Sequence, residues 1–204
     1  MLKKVGQEKI GYLFLLILNC NMNPVKENLP LIVEHYPFHK SINEKIVKDS
    51  EGAVFSKQVN MSSIQASQTV SRKIHSESID KIYNWIITIL QSKFCSHPNL
   101  RIYDFEIDNS WLAVYDKGEY AKSHAHYPFS FSFVYFVKSP KGSSPLVLST
   151  SGKRMKPEEG KVVIFPSSLQ HHVPKNRCDG RMILAGNLLF IQRKDTTNDN
   201  FEYI

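Results

Sequence analysis

Residues 101–107 read Arg-Ile-Tyr-Asp-Phe-Glu-Ile, an alternation of polar and apolar side chains at period two. That spacing puts one set on each face of an extended chain, as in a half-buried β-strand. Three residues later, Trp111-Leu112-Ala113-Val114-Tyr115 forms a second apolar run, closed by the turn residues Asp116-Lys117-Gly118. The spacing predicts two successive strands. Outward from them the same texture continues: residues 129–137 are almost wholly apolar or aromatic, and residues 146–148, 161–165 and 181–192 add further short runs with turn residues between them. Several short strands at such intervals predict a β-sandwich or barrel over about residues 100–192.

Upstream the period changes. Over residues 78–94, Ile79, Ile82, Trp85, Ile86, Ile89 and Leu90 recur at helical spacing, and Ser78 with Asp80 supplies a cap. This predicts a helix lying on the outside of the sheet. Residues 29–33 suggest a first strand and 41–48 a short helix. Residues 56–72 are rich in Ser, Gln and Thr without a period, and suit a loop or a lid over a pocket. The resulting division is an N-terminal extension (1–22), a strand and helix segment packing on the barrel (23–99), a β-core (100–192) and a tail (193–204). In the extension, Lys3-Lys4 precede a short apolar run at 12–18, too short to span a membrane, and Met22 opens a segment that reads like a second protein start.

The 204-residue chain suits one domain with a hydrophobic core, and 42% hydrophobic with 22% charged residues is ordinary globular composition. A formal net charge of +7 admits an anionic partner, yet the basic residues occur in nothing longer than pairs such as Arg72-Lys73. Nucleic acid is therefore not expected as a partner. Three cysteines with no CxxC spacing argue against a disulfide framework or thiolate zinc, and for a reducing, cytoplasmic compartment. Oligomeric state is unreadable.

Four of the eight histidines fall in two clusters, His124-Ala125-His126 and His171-His172. In an extended segment residues i and i+2 point the same way, so His124 and His126 can face one interior, while His171 and His172 diverge. A third imidazole from a distant strand would complete a facial set with open positions, suited to iron(II) or another borderline divalent metal. The HxH pair alone also fits a surface pair and, less often, a structural zinc site.

The context of these histidines narrows the reading. Residues 111–115, Gly118, His124-Ala125-His126-Tyr127-Pro128, residues 132–136, Pro157-Glu158-Glu159-Gly160, residues 165–171, Arg181 and Asn187 together resemble the 2-oxoglutarate and iron(II)-dependent oxygenases. The similarity is to a prolyl-hydroxylase-like branch found in marine bacteria and phages, and covers about residues 105–190. It implies a mainly β, double-stranded β-helix (jelly roll, cupin-like) core with flanking N-terminal helices and iron at its open end. His124, His126 and His171 would be the metal ligands, and Arg181 the partner of the far carboxylate of 2-oxoglutarate. Tyr115 and Tyr135 would donate hydroxyls to the cosubstrate, and Asn187 would orient it or a ligand. The activity implied is hydroxylation by O2 of an unknown primary substrate, coupled to oxidative decarboxylation of 2-oxoglutarate to succinate. Phe129, Phe131 and Phe133 would wall the cavity or pack a core.

The sequence departs from the family pattern twice. Most members carry His-x-Asp or His-x-Glu with the distal histidine; here the second position is His126, a ligand in an all-histidine site or a neighbour of one, with Asp116 or Glu119 as substitutes at spacings better suited to a turn. Two residues beyond Arg181 stands Ile183, where many relatives have Ser or Thr. Both departures motivate the alternative of a non-catalytic metal- or ligand-binding jelly roll.

Overall fold

The computed structural model describes residues 29–58, 64–94 and 103–192. The extension, the tail and the first two residues of the opening motif lie outside them. Eleven strands and two α-helices occur in the described residues: β1 (Ile32–His35), α1 (His39–Asp49), β2 (Phe55–Ser56), β3 (Ser67–Thr69), α2 (Glu77–Phe94), β4 (Tyr103–Tyr115), β5 (Ala121–His124), β6 (Phe131–Lys138), β7 (Leu146–Leu148), β8 (Arg154–Met155), β9 (Lys161–Pro166), β10 (His171–Val173) and β11 (Arg181–Gln192). They form a seven-stranded sheet in the order β1-β9-β6-β11-β4-β3-β2 and a four-stranded sheet in the order β5-β10-β7-β8. Every pairing is antiparallel. This is the mainly β jelly roll expected, and no helix among the described residues is long and apolar enough to cross a membrane.

The two runs of the opening motif are one strand, not two. β4 pairs with β11 along its whole length, but Asn187 faces Asn109 while Leu188 faces Ile107, so Asp108 is an extra residue on β4. A bulge of this kind reverses the phase of the alternation. Before it, Phe105 and Ile107 pack on the helix side; after it, Leu112 and Val114 do, and Trp111, Ala113 and Tyr115 turn into the space between the sheets. One inserted residue thereby aims Trp111 and Tyr115 at the barrel interior.

Two apolar layers follow. Outside the large sheet, α2 presents Ile79, Ile82, Ile86, Ile89 and Leu90 to Phe133, Tyr135, Ile164 and Leu184, with Ile42 and Ile46 of α1 beside them. Between the sheets lie Val134, Phe136, Val163, Phe165, Ile183 and Ala185. The cap of α2 is Ser76, whose Oγ accepts from the Ile79 N–H at 3.3 Å. Ser78, the expected cap, instead donates its hydroxyl to Asp49 and ties α2 to α1. The unperiodic segment 56–72 contains β3, which pairs with β4 on one side and β2 on the other; a strand three residues long is too short to display a period.

At Gly186 a Cβ would lie 2.6 Å from the Asn109 carbonyl oxygen and 2.6 Å from the Phe133 ring, and the first is backbone that cannot rotate away. Gly186→Ala is expected to lower stability by about 1–3 kcal/mol, read from the urea midpoint. An unchanged midpoint would mean that β4 and β11 tolerate separation beside the bulge.

Candidate metal centre

His124 ends β5 and His171 begins β10, and the two are cross-strand partners in one antiparallel pair. The pairing brings their rings to 4.4 Å, centroid to centroid. Each Nδ1 is paired with a backbone carbonyl, His124 with Lys122 at 2.7 Å and His171 with Leu169 at 3.0 Å. A carbonyl only accepts, so each Nδ1 carries the proton and each Nε2 keeps a lone pair for a metal. His126 lies beyond the end of β5, in a loop whose position is set by backbone bonds from His126 N to Ser167 O (2.8 Å) and from Ser167 N to Ser130 O (3.2 Å). Its ring stands 5.0 Å from that of His124 and 5.1 Å from that of His171.

The three histidines each offer a nitrogen, and these ligand atoms lie within 4.8 Å of one another. Desolvation pushes His126 down to about 4 and His171 down to about 3, and lowers His124 as well. All three are therefore neutral near pH 7, as nitrogen ligands must be. Phe165 packs edge-on against His171 at 4.8 Å and Trp111 tilts against His126 at 5.8 Å, so aromatic walls supply that desolvation. His172 turns away and pairs its Nδ1 with Ser149 Oγ at 2.9 Å. Asp116 and Glu119 do not approach the cluster. Asp116 accepts from Gly180 N at 3.0 Å, while Glu119 accepts from Asp116 N at 2.8 Å and forms an ion pair with Lys57.

Behind the histidines is a recess lined by Tyr115, Arg181 and Ile183. Arg181 opens β11 directly opposite Tyr115 of β4. It is wholly buried, with its guanidinium carbon 4.7 Å from the Tyr115 ring centre and 5.5 Å from that of Phe136. None of its Nε, Nη1 and Nη2 atoms finds a hydrogen-bond acceptor among the described residues. Burial lowers its pKa from the ordinary value, opposed by Tyr115 and Cys178. The loop leading into it is held by Asn176, whose Nδ2 donates to Tyr115 O (2.9 Å) and Cys178 O (2.7 Å).

Two expected cosubstrate residues lie elsewhere. Tyr135 faces the helices, because on β6 the even residues Val134 and Phe136 take the interior; its hydroxyl donates to Asn43 Oδ1 at 2.7 Å. Asn187 sits on an outer cleft rather than in the recess. Its Oδ1 accepts from Ser132 Oγ and its Nδ2 donates to Asn109 Oδ1, both at 2.7 Å, which locks the strands around the bulge. Of the phenylalanines, Phe131 and Phe133 belong to the helix-side core and Phe129 borders the cleft.

The outer cleft encloses about 310 Å3 and shares His124 and His126 with the recess. Its remaining wall includes Gln68, Arg72 and Trp111, none of which was singled out from sequence as a site residue. Gln68 and Arg72 come from the Ser-, Gln- and Thr-rich segment without a period, which the sequence offers only as a loop or a lid over a pocket. Trp111 was counted as strand packing.

No family model matches the chain, and no curated protein does. Solved structures match its fold. A viral collagen prolyl hydroxylase from Paramecium bursaria Chlorella virus-1, in complex with 2-oxoglutarate, aligns at a TM-score of 0.59 and 17% identity, over 78% of this chain and 94% of that one. An oxidoreductase of the 2OG-Fe(II) oxygenase family from Burkholderia pseudomallei gives 0.61 and 13%, over 78% and 84%. HygX from Streptomyces hygroscopicus, with nickel and 2-oxoglutarate bound, gives 0.58 and 10%, over 82% and 84%. The chain thus has the fold of the 2-oxoglutarate and iron(II) oxygenases, prolyl hydroxylases among them.

Proposed function

We propose that this protein is an iron(II)- and 2-oxoglutarate-dependent hydroxylase. The observation that carries the reading is Arg181, a buried guanidinium whose three nitrogens find no acceptor among the described residues, in a recess behind three imidazoles with free lone pairs. A buried cation without a counter-charge is costly to keep, and a dicarboxylate spanning recess and metal relieves that cost. The residues fit the group: nitrogen donors suit iron(II), and a guanidinium grips a carboxylate with two parallel bonds. His124, His126 and His171 would hold the metal, Arg181 the far carboxylate and Tyr115 the wall beneath it.

When bound, iron activates O2 so that a substrate C–H becomes C–OH as 2-oxoglutarate goes to succinate and CO2. The chain's own residues do the positioning. The Lys122 and Leu169 carbonyls fix the tautomers of His124 and His171, and Trp111 and Phe165 exclude water from the imidazoles. Ile183 offers the cosubstrate an apolar contact only, so Arg181, with Tyr115 beside it in the recess, would carry its orientation.

The second reading, a binding module without turnover, is favoured by one observation: among the described residues lining recess and cleft, none is acidic. Anaerobic titration with iron(II) and then 2-oxoglutarate separates the readings in order. A visible metal-to-ligand charge-transfer band is expected in the wild type and its loss in His171→Ala. Admission of O2 should then release succinate even without a primary substrate. A folded wild type with no band at saturating iron would sink the proposal; a band without succinate would leave the binding module.

A further inference from the structure

Recess and outer cleft meet at a threshold. Among the described residues, Ile64, Gln68, Trp111, His124 and His126 line both spaces. Two of these are the histidines of the metal centre, and Gln68 brings the side-chain amide. It sits on β3 opposite Ala113 of β4, and directly opposed residues of an antiparallel pair share a face. Ala113 faces the interior, so the Gln68 side chain enters the barrel, where it is only 3% exposed. Its Oε1 accepts from Arg72 Nη1 at 2.8 Å. A guanidinium only donates, so this bond settles which end of the amide is oxygen. The Nε2 donor is then turned into the barrel and has no acceptor among the described residues. A buried amide donor left without an acceptor is costly unless a ligand supplies one.

Strand order says what that ligand is. β4 lies between β3 and β11. On its far side Arg181 stands opposite Tyr115, two residues along from Ala113 and on the same interior face. Two strand spacings across and two residues along put the Gln68 and Arg181 Cα atoms roughly 12 Å apart. Both side chains reach into the space between, which leaves room for a short diacid. Arg181 takes one carboxylate and the other meets the metal. At that end the Ser132 hydroxyl donates to Asn187 Oδ1, and the Nδ1 protons of His124 and His171 go to backbone carbonyls. The Gln68 amide is a donor still to be used there. Three neutral imidazoles bring the metal no negative charge, so the near carboxylate keeps its full charge and accepts strongly.

We infer that Gln68 Nε2 donates to the carboxylate that the cosubstrate presents to the metal, so that Gln68 holds the near end of 2-oxoglutarate as Arg181 holds the far end. The inference rests on the oxygenase reading. The test is calorimetric titration of the full chain, loaded with redox-silent zinc(II), with 2-oxoglutarate and with oxalate, which has carboxylates for the metal but no far arm. Gln68→Met is expected to weaken both anions about tenfold or more, the worth of a hydrogen bond to a charged group, with zinc(II) affinity unchanged. Arg181→Met should weaken 2-oxoglutarate alone. Gln68→Glu, the same shape, keeps an oxygen for Arg72 and sets a negative charge against the carboxylate, so it should weaken both anions further than Gln68→Met. If Gln68 served only to hold Arg72, the glutamate variant would bind both as the wild type does, and that result overturns the inference even if Gln68→Met fails to fold. Unchanged affinities in Gln68→Met overturn it too, as does a loss confined to 2-oxoglutarate. With iron(II), losing the donated bond should move the charge-transfer band to higher energy. A band present but unmoved in Gln68→Met would remove this inference and leave the oxygenase reading. No band in the wild type, with oxalate binding that depends on Gln68, would do the reverse, and a wild type that binds neither anion would remove both.

Discussion

Arg181→Met is expected to abolish the 2-oxoglutarate-dependent band while making the metal-free protein more stable. The two effects share one cause. In the free protein the guanidinium is desolvated, its nitrogens find no acceptor among the described residues, and the ring faces of Tyr115 and Phe136 compensate it in part. Such cation–π contacts return about 2 kcal/mol when desolvated, less than the burial of an unpaired charge costs. Methionine has similar length, no charge and enough flexibility to fill the recess. The net gain should be about 1–3 kcal/mol, read from the urea midpoint without metal. Cosubstrate affinity should fall roughly a hundredfold or more, since a buried charge-assisted pair loses one partner. A destabilised variant would show that Arg181 has a structural counter-charge, and an unchanged band would show that the far carboxylate binds elsewhere.

A stability–function conflict at one residue also explains what could be read from sequence. Arg181 was assigned through its place after the distal histidine, a spacing that antiparallel strands preserve whatever fills the loops. The long strands are legible for another reason: the large sheet is covered on both faces, so a strand such as β6 reads as a near-continuous apolar and aromatic run. The bulge was not. Asp108-Asn109-Ser110 is polar and looks like a break, and only the register against β11 reveals a single strand with one residue too many. Tyr135 was assigned from its place in a motif, although its parity on β6 sends it to Asn43 and the helices. β5, β8 and β10 run for two to four residues, too short to show a period, yet two of them carry His124 and His171. Gln68 and Arg72 escaped because a segment without periodicity offers no face to assign.

The largest change at the metal itself is expected for His126→Asp. The wild-type centre is a set of neutral donors, and Arg72 already acts on His126 as a nearby positive charge. A carboxylate at 126 adds a full negative charge to the divalent ion, and iron(II) affinity should rise roughly tenfold or more. Arg72 opposes the gain by pairing with the new carboxylate in the metal-free protein. That exposed pair is worth about 0–1 kcal/mol, too little to cancel a bond to the metal. Chelator competition measures the change, with His126→Ala as the reference. If His126 is a ligand, the alanine variant should lose about ten- to a hundredfold in affinity; wild-type affinity in that variant would remove His126 from the ligand set.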